Sequence, residues 1–187
     1  MKTVLNIGSG NSSVRDFTSL FNGDEWTEVR VDKYVDGADL KCDITTLEDV
    51  ADNSVDVVWA CHVIEHLEWK ELPETFYNIM RVMKSDGAAI IRVPDLGAIA
   101  HLIKDGLLGP VYDVGSGYEI CVIDMIYGHR GLQVDTQGQI HKTGFTEKSM
   151  SEILNKFGIN AFISAANHEV RAVLYKDTAP DWILKNL

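Results

Sequence analysis

Two glycines and two aspartates in the first quarter of the chain have types and spacing that suit binding of an adenosine-type ligand. Gly8 and Gly10 lie in the stretch VLNIGSGNSS, directly after a short apolar run. Because glycine has no Cβ, these positions let the backbone approach a ligand closely. Asp32 ends the next apolar run, where its carboxylate could accept hydrogen bonds from both hydroxyls of a ribose. Asp43, in KCDIT, could accept from an adenine amino group, with the Ile44 backbone beside it.

Ser13 occupies the place of the third glycine in the dinucleotide-binding pattern G-x-G-x-x-G. That glycine brings helix and strand together, and the helix N-terminus then holds a pyrophosphate. A cofactor without phosphates does not require the same packing. NAD-dependent oxidoreduction therefore stays an alternative, disfavoured by Ser13 and by the lack of a Tyr-x-x-x-Lys pair.

The stretch HVIEH, residues 62–66, matches the inverted zinc-protease pattern H-x-x-E-H. On a helix, His62 and His66 would share a face and could bind zinc, with Glu65 as general base and Glu71 or Glu74 as a further ligand. However, the stretch directly follows a buried strand of an α/β pattern, which favours a place at the edge of a pocket. We therefore expect no metal, and zinc-dependent hydrolysis stays an alternative.

The elements that must position these residues alternate between strands and helices. Strands are predicted at 2–7, 26–32, 55–60 and 88–94, with a short strand near 40–42, and helices at 14–21, 69–84, 96–105 and 146–158. This alternation predicts an α/β fold with a Rossmann-like, doubly wound and mainly parallel sheet. Residues 159–165 and 169–176 flank a link too short for a parallel crossover, so a C-terminal antiparallel hairpin is predicted.

Length and composition indicate one ordinary globular domain over residues 1–187. The formal net charge of −11 disfavours nucleic acid and anionic membranes as partners. No apolar stretch is long enough to span a membrane. The apolar stretch in MKTVLNIG is too short for a signal peptide. Three cysteines without C-x-x-C spacing favour a reducing compartment, so we expect a cytoplasmic protein.

Five stretches resemble, in order, the motifs of class I S-adenosylmethionine-dependent methyltransferases of the small type 11-like kind. They are LNIGSGN, VRVDKY, KCDITTL, SVDVVWACHVIEHL and NIMRVMKSDGAAIIRVPD, within residues 3–95. The resemblance implies S-adenosyl-L-methionine as cofactor, with Gly8, Ser9 and Gly10 along its methionine part, Asp32 at the ribose, and Asp43 with Ile44 at the adenine. Cys61, His62 and His66 would edge the pocket, and Asn6 and Lys33 complete the predicted cofactor-binding set.

The chain departs from the family pattern in two ways. Asn6 stands where family members often carry an acidic residue, so one electrostatic contribution near the cofactor's ammonium group is missing. The chain also begins at the first strand, without the helices that often cover the cofactor. We expect the irregular segment 107–142, or another subunit in a homodimer, to cover the site.

Segment 107–142 also carries the candidates for contact with a methyl acceptor. YGHRG within it, and HKTGFT at residues 141–146, resemble stretches preceding the final helix near the acceptor side of some small methyltransferases. This makes His141, His129 and Tyr127 candidate catalytic residues and Arg130 a candidate anion partner. The leading hypothesis is methyl transfer to a small-molecule or sugar-type acceptor. A non-catalytic cofactor-binding or assembly protein with the same fold is the alternative from another class.

Overall fold

The central sheet has six strands. In the computed structural model, which describes residues 1–113, 119–129 and 139–184, their order is β2-β1-β3-β4-β8-β7. The strands of this sheet are β1 Lys2–Ile7, β2 Trp26–Val31, β3 Val55–Cys61, β4 Met83–Pro94, β7 Asn160–Ala166 and β8 Glu169–Tyr175. The first four run parallel to one another. Strand β8 pairs antiparallel with β4, and β7 pairs antiparallel with β8. The predicted fold class and hairpin are confirmed.

The central strand β3 is buried on both faces, as its continuous apolar sequence requires. In β3, every residue from Val57 to Ala60 is buried. One face packs against helix α1, Leu72–Val82, which has Pro73 in its first turn and turns Leu72, Phe76 and Ile79 toward the core. The other face packs around Phe21 and Trp26, whose rings meet edge to face at 4.9 Å.

Four sequence predictions were wrong in extent. The helix predicted over 69–84 spans Leu72–Val82, and the strand predicted over 88–94 spans Met83–Pro94, because the chain passes directly from α1 into β4. Residues 14–21 form only a 3-10 turn, Val14–Asp16, although Ser13 caps it with Asp16 in a capping box. The helix stops because the Arg15 side chain donates to the carbonyls of Phe21 and Trp26, which holds the following chain in an irregular path. The short strand near 40–42 is reduced to a single parallel bridge between Val31 and Leu40.

The later helices begin near the predicted positions. Helix α2 spans Leu96–Lys104, with Asp95 as N-cap, and α4 spans Glu147–Lys156, with Thr146 as N-cap. Within 107–142, the described residues form a small antiparallel pair, β5 Pro110–Asp113 with β6 Glu119–Cys121, and the short helix α3, Asp124–Tyr127. A last short helix, α5, spans Asp181–Leu184. Among the described residues, no helix is long and apolar enough to cross a membrane.

Candidate cofactor and acceptor site

A cavity of about 670 Å³ opens where the parallel strands β1, β2 and β3 end. In a parallel sheet the carboxyl ends of the strands meet at one edge, where ligands of open α/β folds bind. Eight of the eleven predicted cofactor residues line this cavity: Gly8, Gly10, Asp32, Lys33, Asp43, Ile44, His62 and His66. Their roles toward a cofactor stay predictions.

The glycine turn needs both of its glycines, for different reasons. Gly8 has a φ of +64°, and a Cβ there would lie 2.1 Å from Val63 Cγ2, so no side chain fits. Gly10 has a φ of +55°, yet a Cβ there would meet no atom within 4 Å. The backbone of Gly10 therefore borders open space on the wall of the cavity.

Asp32 fastens the glycine turn to the end of β2. Its Oδ2 accepts from the Gly10 N–H at 2.9 Å, and its Oδ1 accepts from the N–H groups of Tyr34 and Val35 at 2.8 and 3.1 Å. A carboxylate offers about four acceptor positions, so these three bonds leave capacity for about one more donor. The side chain is largely buried, and the residue still lines the cavity.

Asp43 and Lys33 form an ion pair on the cavity wall, with Asp43 Oδ2 and Lys33 Nζ 2.6 Å apart. The other carboxylate oxygen, Oδ1, accepts from both the N–H and the hydroxyl of Thr45. Burial raises the pKa of Asp43, but the bonds from Lys33 and Thr45 outweigh it and lower the pKa overall. Asp43 is thus an anion, and its bonds to Thr45 hold the turn that contains Ile44.

His62 bridges two carboxylates at the end of β3. Its Nε2 lies 2.9 Å from Glu169 Oε1, and its Nδ1 lies 3.3 Å from Glu65 Oε1. Burial lowers the pKa of His62, but the bonds to the two glutamates raise it to about 9, so the ring is a cation at neutral pH. Its φ of +52° is rare for a non-glycine residue, which indicates that the surrounding contacts impose this conformation.

Glu65, His66 and His141 form a second cluster, of which His66 lines the cavity. One ligand atom of each lies within 4.8 Å of the others, and the two histidine rings meet edge to face at 4.8 Å. Burial lowers the pKa of His141, which favours its neutral form. His141 reaches this place because the N–H groups of Lys142 and Thr143 donate to the Glu65 carbonyl at 2.8 and 3.0 Å.

The other predicted cofactor residues lie behind the cavity wall. The Asn6 side chain donates to Glu28 Oε1 and the Ser12 carbonyl, and the Ser9 hydroxyl donates to the Gly10 carbonyl. Burial raises the pKa of Cys61 to about 12, which keeps its thiol protonated and unreactive.

The predicted acceptor residues lie on a different segment. Tyr127 is exposed at the end of α3, His129 follows it, and Arg130 lies outside the described residues. Of this group, His141 lies against the pocket-edge residue His66, with the two ring centroids 4.8 Å apart. The helical arrangement of His62 and His66 that a zinc protease needs is not formed, because a 3-10 turn, Ile64–His66, follows the left-handed His62.

Sequence reasoning missed Tyr34 and Glu28. Tyr34 lines the cavity with an exposed ring next to Lys33, and an aromatic residue after the β2 aspartate was the available signal. Glu28 accepts from the side chains of Asn6 and Ser13 and from the Val14 N–H. It places a carboxylate from the neighbouring strand beside Asn6. The alternation of apolar and polar residues along β2 does not indicate which residue of β1 Glu28 contacts.

Comparison with known proteins agrees with this architecture. Residues 5–91 match the family model described as methyltransferase domain. Residues 5–91 thus resemble a methyltransferase domain, and the rest of the chain lies outside the match. The matched region runs from within β1 to within β4 and so includes the glycine turn, both cavity aspartates and the 62–66 turn. No curated protein sequence matches the chain.

Several solved methyltransferase structures are similar to this one. A SAM-dependent methyltransferase from Archaeoglobus fulgidus aligns with a TM-score of 0.59 at 17% identity, covering 92% of this chain and 85% of that one. A 1,6-didemethyltoxoflavin-N1-methyltransferase from Burkholderia thailandensis, solved with 1,6-didemethyltoxoflavin and S-adenosylhomocysteine, aligns with a TM-score of 0.56 at 13% identity, covering 92% and 69%. A SAM-dependent methyltransferase from Aquifex aeolicus gives 0.56 at 14% identity, covering 92% and 81%. At these identities the likeness concerns the fold of the methyltransferase domain.

Proposed function

We propose that this methyltransferase domain binds S-adenosyl-L-methionine and transfers its methyl group to a small-molecule acceptor. The observation that carries the proposal is the open space at Gly10, where bare backbone borders a cavity that also presents two aspartates. The Burkholderia thailandensis neighbour was solved with S-adenosylhomocysteine and a small acceptor, which supports both parts of the proposal.

The residues of the cavity fit the parts of this cofactor. Asp32 keeps acceptor capacity for a ribose hydroxyl, Asp43 and Ile44 stand where an adenine would lie, and Gly8 to Gly10 would follow the methionine part. The absence of a glycine at Ser13 agrees with a cofactor that has no pyrophosphate. Lys33 pairs with Asp43, while His62 and His66, which also line the cavity, would border the part of it away from the adenine. Asn6, Ser9 and Cys61 would support this wall from behind.

Methyl transfer from a sulfonium is an in-line displacement, so the protein mainly has to align the acceptor and the cofactor. When bound, S-adenosylmethionine supplies the methyl group as electrophile. We place the acceptor near the 62–66 turn and the chain around His141, with His129 and Tyr127 as further candidates for acceptor contact. The described end of segment 107–142, with Gln139 and Lys142, would cover this side of the cavity, and a second subunit in a homodimer is the alternative cover.

The acidic character of the chain, at −11, supports a small molecule over nucleic acid as the acceptor. Cys42 and Cys61 are free cysteines, which supports a reducing environment such as the cytoplasm. A sugar-type metabolite is one acceptor of the expected size.

A glycine pair provides a matched test of the cofactor site. Gly10 and Gly106 both have positive φ, and at both a Cβ would meet no atom within 4 Å, but only Gly10 lines the cavity. Alanine at either position should cost a similar ~1–2 kcal/mol of stability through backbone strain. We expect Gly10→Ala to weaken S-adenosylhomocysteine binding by at least about tenfold in calorimetry, a change of ~1.4 kcal/mol, because its methyl group enters the ligand space.

Gly106→Ala is the control and should bind S-adenosylhomocysteine within about twofold of the unmodified chain. Equal affinities for the two variants would contradict the proposed placement of the cofactor. Thermal unfolding of both variants, followed by circular dichroism, verifies that their folds are intact.

A further inference from the structure

The cluster of Glu65, His66 and His141 has the composition of a metal site. It contains two imidazoles and one carboxylate, and one ligand atom of each lies within 4.8 Å of the others. Two histidines with a carboxylate form a donor set used for Zn²⁺ and other divalent first-row transition metals. The set differs from the one that the H-x-x-E-H pattern suggests, because His141 takes the place of His62.

Glu65 has an oxygen that the described part of the protein leaves without a hydrogen-bond donor. The residue is only 1% exposed, and Oε1 already contacts His62, whereas Oε2 has no partner among the described residues. Leaving a buried carboxylate oxygen unpaired costs free energy, and more so for a charged group. A cation bound at Oε2 would remove that cost.

Both histidines are held in the tautomer that binds metals through Nε2. The Nδ1 of His66 lies 3.1 Å from the Ile140 carbonyl oxygen, and the Nδ1 of His141 lies 3.1 Å from the Met125 carbonyl oxygen. Because a carbonyl only accepts, each Nδ1 must carry a proton, which leaves Nε2 as the ring nitrogen available to a metal ion. Backbone carbonyls bonded to the second ring nitrogen are the usual support of metal-binding histidines.

We infer that Glu65, His66 and His141 bind a divalent transition-metal ion such as Zn²⁺ beside the cavity. The ligand atoms of a tetrahedral zinc site lie about 3.4 Å apart, so the three side chains close on the ion from their present spacing. Glu65 Oε1 lies 4.0 Å from His141 Nε2 and also contacts His62 Nδ1, so the carboxylate would have to rotate to bring the unpaired Oε2 to the metal. This assignment replaces the expectation of no metal drawn from the sequence.

The position of the site suggests its use. His66 lines the cavity, and its neighbours in the cluster lie behind it, so the ion would stand at the acceptor side. Three protein ligands leave open coordination positions, as in catalytic zinc sites, and an oxygen-bearing acceptor suits such a position. This use rests on the proposed function, whereas metal binding itself does not.

Metal binding can be measured without any cofactor or acceptor. The full chain, freed of metal with a chelator and dialysed, is titrated with Co²⁺, whose visible absorption reports its coordination, and by calorimetry with Zn²⁺. We expect one ion per chain, displacement of Co²⁺ by Zn²⁺, and a rise in the unfolding temperature with Zn²⁺ that a chelator reverses. Glu65→Gln and His141→Ala should each weaken Co²⁺ binding by at least about 100-fold.

The matched control is His101→Ala, which removes an exposed histidine on α2 and should bind Co²⁺ as the unmodified chain does. Circular dichroism checks that each variant is folded. If either variant misfolds, the titration of the unmodified chain is the test. Its failure to bind Co²⁺ and Zn²⁺ overturns the inference. Equal Co²⁺ affinities for all variants also overturn it.

Titration of the same metal-free samples with S-adenosylhomocysteine separates this inference from the proposed function. A chain that binds S-adenosylhomocysteine but neither metal overturns the metal site and leaves the proposed function standing. A chain that binds one Co²⁺ through Glu65 and His141 but no S-adenosylhomocysteine supports the metal site and contradicts the proposed cofactor.

Discussion

At the scale of single residues, Asp32 combines a structural role with the proposed binding role. Three backbone N–H groups already donate to its carboxylate, including that of Gly10 in the glycine turn. Removing the side chain would therefore loosen the turn as well as remove a contact to a ribose. The affinity for one ligand cannot separate these two effects. They are separated by a cycle that changes both the Asp32 side chain and the ribose hydroxyls of the ligand.

We predict that Asp32→Ala abolishes the preference for a ligand with ribose hydroxyls. The unmodified chain should bind S-adenosylhomocysteine at least about tenfold more tightly than its 2′,3′-dideoxyribose analogue, since hydrogen bonds to a charged group contribute ~1.5–3 kcal/mol each. Asp32→Ala should bind the two ligands about equally. Calorimetric titration of both proteins with both ligands measures the coupling.

Asp36→Ala, which removes an exposed carboxylate paired with Lys41, should keep the full preference for the hydroxyls. If Asp32→Ala retains that preference too, then Asp32 does not contact the ribose, whatever its effect on the overall affinity.

At the scale of elements, one ion-pair network joins the start of β8 to the end of β3. The Glu169 carboxylate accepts from Arg92 at 2.7 Å and from Arg171 at 3.1 Å, and it lies 2.9 Å from His62 Nε2. Burial raises the pKa of Glu169, but the bonds from His62 and Arg92 outweigh it and lower the pKa from 4.5 to about 2. Glu169 thus links the antiparallel hairpin to the turn that carries the pocket-edge histidines.

This lowered pKa predicts a pH-dependent contribution to stability. Glu169 binds its proton more tightly in the unfolded chain than in the folded one, so its contribution is fully present above pH ~4.5 and is lost as the pH falls toward ~2. We expect Glu169→Gln to lower the free energy of unfolding by up to ~2–3 kcal/mol at pH 6, and this difference should shrink steadily below pH 4.5. Urea unfolding at a series of pH values measures it.

Glu152→Gln is the control, because it removes an exposed glutamate on α4 that lies 3.9 Å from Lys148. Its effect should be small at every pH. A difference between the unmodified chain and Glu169→Gln that stays constant from pH 6 to pH 3 would show that Glu169 does not have the lowered pKa.

Sequence patterns predicted the elements whose cause is local and missed the contacts whose cause is distant. The apolar run of β3 and the cap at Thr146 are visible in the sequence, and both elements formed as expected. The helix predicted over 14–21 did not form, because Arg15 bonds to distant carbonyls that no local pattern reveals. The approach of His141 to His66 depends on backbone hydrogen bonds from residues 142 and 143 to Glu65. Bonds between residues so far apart in the chain leave no pattern in the sequence from which they could be predicted.

At the scale of the whole molecule, the cavity is bounded by two parts of the chain, one inside and one outside the region that matches the family model. The parallel strands supply the glycine turn, Asp32 and Asp43, all within the region that matches the methyltransferase family model. Gln139 and Lys142 come from the end of the irregular segment, outside that region. We infer that the first part recognises the cofactor and that the second sets the choice of acceptor.

The most direct test of this account is calorimetric titration of the unmodified chain with S-adenosylmethionine, S-adenosylhomocysteine and NAD. The account predicts micromolar binding of the first two, one per chain, and at least about 100-fold weaker binding of NAD, a difference of ~2.7 kcal/mol. NAD binding as tight as that of S-adenosylmethionine, or no binding of either adenosyl ligand, would contradict the central claim.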